Sequence, residues 1–263
     1  GELPAVIAGI KPLDAVRIGD TIPVALRSAV EALPGFREVK PMVFAGLYPV
    51  DAEEYGALKA ALEKLRLNDA SFRYEPETSA ALGFGFRCGF LGFLHAEIIQ
   101  ERLEREYSLN LISTTPTVRY QVVLNTGDTI EIDSPADLPD LTRIERVEEP
   151  LILATIHVPA EYLGAVLALC QERRGAQRDM TQHGTRVQVR YLLPLAEVVA
   201  DFHDRIKSAT RGYGSFDYEL AGYQPGDLVK LDVLVNAVPV DALSLIVHRD
   251  KAFQRGSDLV RKL

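Results

Sequence analysis

Cys88 and His95 stand close together in the chain, and a thiol beside an imidazole is what a nucleophile and its base require. Their neighbours argue for a plainer role. Phe84, Phe86 and Cys88 alternate with Gly83, Gly85 and Arg87, so the segment reads as a strand with one bulky face and one nearly bare face. Cys88 belongs to the bulky face and is expected in the core. A helix follows, with Leu91, Leu94, Ile98, Ile99 and Leu103 on one stripe, and His95 sits one position off that stripe, at its edge. The five histidines (His95, His157, His183, His203, His248) show neither H-x-x-x-H nor C-x-x-C spacing with the cysteines. No catalytic or metal-ligating residue is therefore assigned. Gly83, Gly85 and Gly89 spell G-x-G-x-x-x-G, one residue off the dinucleotide fingerprint, and G-x-x-x-x-G-K-[ST] does not occur. The bare glycine face is read as a tight packing site or a contact surface.

The basic residues are the better candidates for chemistry. Net charge is −8, which taken alone argues against a nucleic-acid partner. The charge is uneven, however. Residues 128–149 hold eight acidic residues against two arginines, whereas 172–190 and 247–263 each hold five basic residues against two acidic ones. Local sign governs docking on a phosphate surface. Arg173 and Arg174 end a helix just before Gly175, where they complement the helix dipole or, with Arg178, point into an RNA groove. Lys207 and Arg211 end the next helix and flank Gly212, Tyr213 and Gly214. Tyr213 is placed to stack on a base or to pack. Both helix C-termini are expected at one rim. Arg249, Lys251 and Arg255 follow the last strand as an exposed charge run. The candidate RNA contacts are thus Arg173, Arg174, Arg178, Lys207, Arg211, Tyr213, Arg249 and Lys251. Glu97, Glu101 and Glu104 with Arg102 and Arg105 read as a solvated, ion-paired helix face.

One pattern occurs twice among the elements that must position these residues. In the first copy, residues 41–47 form an apolar strand, and Asp51 with Glu54 resembles a capping box. Tyr55, Leu58, Leu62 and Leu65 mark a helix, residues 71–74 a strand, and the glycine strand and long helix follow. Residues 111–123, interrupted by Pro116, supply the last strand. In the second copy, 151–158 is a strand, and Leu163, Val166, Leu167 and Cys170 mark a helix that Gly175 stops. Strands 176–181 and 186–192 flank a hairpin turn at His183 and Gly184. A helix from Pro194 carries Val198, Val199, Phe202 and Ile206, and 213–220 is a strand.

Both copies read βαββαβ. The predicted fold class is α+β: two ferredoxin-like sandwiches, the end of a β-barrel domain before them and the start of a further α+β domain after them. The predicted divisions are 1–36, 37–123, an acidic connector at 124–149, 150–226 and 227–263. A chain of 263 residues, 47% hydrophobic, supports two or three such cores. No apolar run is long enough for a membrane helix and no leader is read, so a cytoplasmic protein is expected. Cys88 and Cys170 fall in different elements, and no disulfide is expected. Both ends look abrupt, as in a piece of a longer protein.

Three segments carry a family resemblance: KPMVFAGLYPVDAEEY, LNDASFRYEPETSAALGFGFRCGFLGFLHAEIIQERLEREY and TRGYGSFDYE. Together they resemble the LepA (elongation factor 4) family of bacterial translational GTPases, relatives of elongation factor G. The resemblance runs from about residue 9 to the end. It implies that 37–123 corresponds to domain III of elongation factor G and 150–226 to domain V. It further implies that 227–263 begins the C-terminal domain particular to the LepA family. Elongation factor G has a whole domain between these units; here only 124–149 intervenes, which is too short for a core. The implied partners are the bacterial 70S ribosome, its large-subunit rRNA and proteins near the factor-binding centre, and tRNA. The implied cofactors, GTP and Mg2+, would belong to a GTPase domain outside this sequence, leaving none for this piece. The family further implies back-translocation of tRNAs, translational fidelity, a monomer and peripheral association with the inner membrane. A fragment of elongation factor G or of a ribosomal protection protein is an alternative. So, in another class, is a ferredoxin-like ligand-sensing or protein-interaction module.

Overall fold

The computed structural model describes residues 40–262 together with Thr21 and Glu31. The strands and turns expected at 1–36 lie almost wholly outside the described residues.

The first unit opens with β1 (Val43–Pro49), an apolar run buried along its whole length. Asp51 accepts the Glu53 N–H at 2.9 Å and starts a 3-10 turn, but Glu54 does not complete the expected box, because its Oε2 is buried without a partner. Helix α1 (Tyr55–Asn68) buries Leu58, Ala61, Leu62 and Leu65, close to the expected stripe. Strands β2 (Arg73–Ser79) and β3 (Gly83–Phe90) and helix α2 (Phe93–Tyr107) follow. The strand expected over 111–123 is instead three: β4 (Leu111–Ser113), β5 (Thr117–Val118) and β6 (Tyr120–Leu124). Pro116, which has no N–H, separates β4 from β5. β4 and β5 pair with β1 in the first sheet, whose order is β2-β3-β1-β4, whereas β6 crosses into the second.

The bare glycine face proves to be a packing site. A Cβ on Gly85 would lie 2.4 Å from the Tyr48 ring, and one on Gly89 would lie 2.9 Å from Pro41. The opposite face carries Phe86 and Cys88 into the core with Phe72 and Phe90. Each such buried side chain contributes about 1.5–3 kcal/mol through area removed from water. Phe84 departs from the expectation: at the strand's start it is 66% exposed, with its ring centre 6.1 Å from that of Tyr55. The α2 stripe departs too. Ile99 and Leu103 are buried, but Leu94 and Ile98 face solvent and Leu91 precedes the helix.

The second sheet has the order β7-β6-β8-β10-β9, with β11 on the other side of β8. Here β7 is Thr129–Ile132 and β8 is Ile144–Pro159; β9 is Ala176–His183, β10 is Arg186–Pro194 and β11 is Ser215–Pro225. Helices α3 (Leu163–Glu172) and α4 (Phe202–Ala209) complete the unit. The four strands β11-β8-β10-β9 repeat the order of the first sheet, so both units are ferredoxin-like. The acidic connector is not a loop. It contributes β7 and the first part of β8, and β8 extends back to Ile144 so that β6 pairs along its N-terminal end. The helix expected from Pro194 is shorter. A 3-10 turn over Leu195–Glu197 comes first, and Val198 and Val199 are buried ahead of α4.

After the second unit, β12 (Leu228–Val235) and β13 (Val238–His248) form a two-stranded hairpin. Asn236 and Ala237, both at positive φ, make its turn. Helix α5 (Arg249–Lys262) runs further back than the one or two final turns expected, starting directly after β13. Among the described residues no helix is long and apolar enough to cross a membrane.

Candidate nucleic-acid interface

Antiparallel strand pairing decides where the basic residues go. β8 and β10 are antiparallel, and the helices that follow them, α3 and α4, therefore run in opposite directions. The end of α3 meets the start of α4: Glu172 binds Arg205 at 2.6 and 2.7 Å, and Arg173 binds Asp201 at 2.7 and 2.8 Å. At the other end, Tyr162 just before α3 lies on Tyr213 just after α4, with ring centres 6.3 Å apart and nearly parallel. The expectation of one shared rim is corrected: Arg173 and Arg174 occupy one end of the unit, and Lys207, Arg211 and Tyr213 the other.

The Arg173–Arg174 end is turned inward. Arg173 is 5% exposed and donates to the Glu197 carbonyl as well as to Asp201. Arg174, in a left-handed conformation (φ 59°), donates to Glu149 at 2.9 and 2.5 Å and to Glu197 at 3.1 Å. Glu149 is 1% exposed, so this pairing offsets a charge that would otherwise be buried alone. Lys251 joins the cluster through the Glu172 carbonyl at 2.5 Å and Glu197 at 3.4 Å, and Arg255 approaches Glu197 at 3.6 Å. The run expected to be exposed is therefore partly engaged. Arg249 is exposed but paired with Asp227 at 2.9 Å. Arg178 is exposed on the edge strand β9.

The opposite end faces solvent. Lys207 and Arg211 are exposed, and Tyr213 is 62% exposed. A small hydrogen-bond knot holds this loop. Buried Thr210 donates its hydroxyl to the Ile206 carbonyl at 2.7 Å and accepts the Gly214 N–H at 2.9 Å. Arg211 (φ 51°) and Gly212 (φ 83°) turn the chain through left-handed backbone, a conformation that costs a non-glycine residue about 1–2 kcal/mol. Arg186, at the β9–β10 hairpin, donates to the Tyr213 carbonyl at 2.9 Å. Cations beside presented aromatic faces suit single-stranded nucleic acid, whose bases stack and whose phosphates are anionic. Tyr162, Arg186 and Thr210 were missed in the sequence. The antiparallel helix rule would have found Tyr162, since it brings the start of α3 to the end of α4.

Neither remaining candidate supports catalysis. Cys88 is fully buried, and its thiol, raised chiefly by burial, meets only the Phe86 carbonyl at 3.7 Å. Burial likewise pushes Cys170 up to about 12. His95 accepts the Leu91 N–H on Nδ1 at 3.0 Å and turns Nε2 to Asp69 at 2.8 Å, bracing the start of α2. Burial alone would raise the Asp69 carboxyl, but hydrogen bonds from Ser71 and His95 outweigh it and hold it below its usual value. In the folded protein a thiol probe should leave both cysteines unlabelled at neutral pH and label two per chain in denaturant. Rapid native labelling of Cys88 would contradict this packing.

Residues 146–234, nearly all of the second unit and most of β12, match the family described as elongation factor G C-terminus. The fold is also similar to a crystal structure of a protein from Thermus thermophilus, at 20% identity and a TM-score of 0.50, covering 76% of this chain and 43% of that one. The chain thus spans less than half the length of that protein. The sequence match makes the second unit similar to the elongation factor G C-terminus, and the structural likeness shows the fold alone.

Proposed function

We propose that this chain is a ribosome-docking portion of an elongation-factor-G-like translation factor, and that within that group it is of the LepA type. The observation that carries the first step is the match of residues 146–234 to the elongation factor G C-terminus. In that unit the α4 end presents Lys207, Arg211 and Tyr213 to solvent, with Tyr162 and Arg186 beside them. The connection between the two ferredoxin-like units supports the second step. Residues 120–132 form a hairpin merged into the second sheet and 133–143 hold only two 3-10 turns, so the connection is not a domain with its own core.

At Gly85 the Tyr48 ring and the Leu47 carbonyl fill the space that a phosphate would need. Nucleotide hydrolysis is assigned to another part of the intact protein, and this chain's residues bind and orient. Back-translocation, fidelity, contact with tRNA and cytoplasmic or peripheral-membrane residence belong to this proposal as family properties.

Co-sedimentation with bacterial 70S ribosomes across a salt series tests it. The chain should bind at low salt and dissociate as salt rises, because phosphate contacts release counterions. Lys207→Gln/Arg211→Gln should lower the log–log salt slope by roughly one per lost phosphate contact. Tyr213→Ala should weaken binding by about 1–3 kcal/mol at every salt concentration, as loss of one stacked base does. An unchanged slope in the double variant would remove this rim from the interface, and indifference of the whole chain to ribosomes would sink the reading.

A further inference from the structure

We infer that residues 238–255, the β13–α5 segment, act as a three-point clasp that fixes the angle between the two ferredoxin-like units. At its first point Asp241 accepts the Ser79 hydroxyl at 2.7 Å and the Ala80 N–H at 3.0 Å, capping the β2–β3 turn of the first unit. At its second, the Ile246 carbonyl accepts the hydroxyl of buried Tyr120 at 3.3 Å, where the chain crosses between units. At its third, Lys251 and Arg255 reach Glu197 of the second unit.

A two-stranded hairpin is marginal by itself, so β12 and β13 need this packing to stay ordered. Helix α5 stiffens the segment by packing on β12, where Gly256 comes so close that a Cβ there would lie 3.2 Å from Leu231. A single ion pair with one partly exposed partner holds such a segment only weakly. Three contacts on one stiff segment act together, because forming one holds the next at high effective concentration. The inter-unit crossing is otherwise short: only Arg119 separates β5 of the first sheet from β6 of the second. The units also touch beside that crossing, where Arg87 of β3 pairs with Asp133 after β7 at 3.3 Å. The clasp adds contacts away from this point, so that the angle is held at more than the crossing itself. It uses the end of the second unit opposite the Tyr213 rim, leaving that rim free. The inference stands on these contacts and does not depend on what the rim binds.

Distances between spin labels in the whole chain test it. Cys88 and Cys170 are buried, so labels go on cysteines introduced at exposed Lys59 in α1, Asp204 in α4 and Gln254 in α5. The 59–204 and 59–254 pairs should each give one narrow distance distribution. In Glu197→Gln/Asp241→Asn both should shift towards longer distances and broaden, while circular dichroism keeps its folded signature. If that variant unfolds, Ser79→Ala/Lys251→Ala/Arg255→Ala removes the facing side chains, keeps the Ala80 N–H on Asp241 and leaves Glu197 paired with Arg174. An unchanged 59–204 distribution in a folded variant would overturn the clasp, as would a broad one in the unaltered chain.

Discussion

Arg174→Ala should destabilise the second unit by about 3–5 kcal/mol, the cost of leaving a buried charge without its partner. Glu149 is 1% exposed, and both of its carboxylate oxygens accept from Arg174. Removing the guanidinium also takes one of the groups on Glu197, which would keep only Lys251 and Arg255 at 3.4 and 3.6 Å. Urea unfolding followed by far-ultraviolet circular dichroism measures the effect. Arg205→Ala is the internal control. Its pair with Glu172 is short, at 2.6 Å, but side chains 41% and 53% exposed leave it screened by water. It should therefore cost less than about 1 kcal/mol. Burial, not distance, is expected to rank the two. A third variant separates backbone from charge. Arg174 sits at φ 59°, so Arg174→Gly should be about 1 kcal/mol more stable than Arg174→Ala. Equal losses at Arg174 and Arg205 would show that the buried cluster contributes no more than a surface pair.

The same cluster marks where local sequence patterns stop. Strand and helix identities were legible because each is a short-range periodicity. Leu58, Leu62 and Leu65 are one turn apart, and they are buried as their spacing requires. The βαββαβ repeat followed from those identities, and the four-strand order within each unit follows from the repeat, whereas the β7-β6 extension of the second sheet does not. Where a helix begins was harder to read. Leu91 and Leu94 fit a helical stripe on paper, but α2 starts at Phe93 and its core face is Ile99 and Leu103. The charged residues were the least legible. Arg174 meets Glu149, Glu197 meets Lys251 and Ser79 meets Asp241, partners separated by 25, 54 and 162 residues. No window of sequence holds both members. The single-rim expectation failed for a different reason, because it ignored a rule that was available. Antiparallel strands send consecutive helices in opposite directions, which alone separates Arg173 from Arg211.

Gly85→Ala should destabilise the first unit by about 1–3 kcal/mol, with the upper end expected, through overpacking that nothing nearby can relieve cheaply. The added Cβ would lie 2.4 Å from Tyr48 Cδ1 and 2.6 Å from the Leu47 carbonyl oxygen. Tyr48 cannot swing aside freely. It is 2% exposed, and its hydroxyl donates to Glu77 at 2.8 Å. The Leu47 oxygen is backbone within the β1–β3 pairing, so moving it strains the ladder. Gly83→Ala, two residues earlier, tests the alternative that any strand glycine behaves this way. There a Cβ meets nothing within 4 Å, and only the positive φ of 79° opposes it, at about 1–2 kcal/mol. A double-mutant cycle then identifies the contact. Tyr48→Ala alone should cost about 3–5 kcal/mol as a large buried ring is lost. Gly85→Ala added to Tyr48→Ala should cost less than it does in the unaltered chain, with a coupling of about 0.5–3 kcal/mol. The recovery should be partial, since the Leu47 oxygen remains. Additive losses would mean that Gly85 is required by its backbone alone and that the tyrosine over it is incidental.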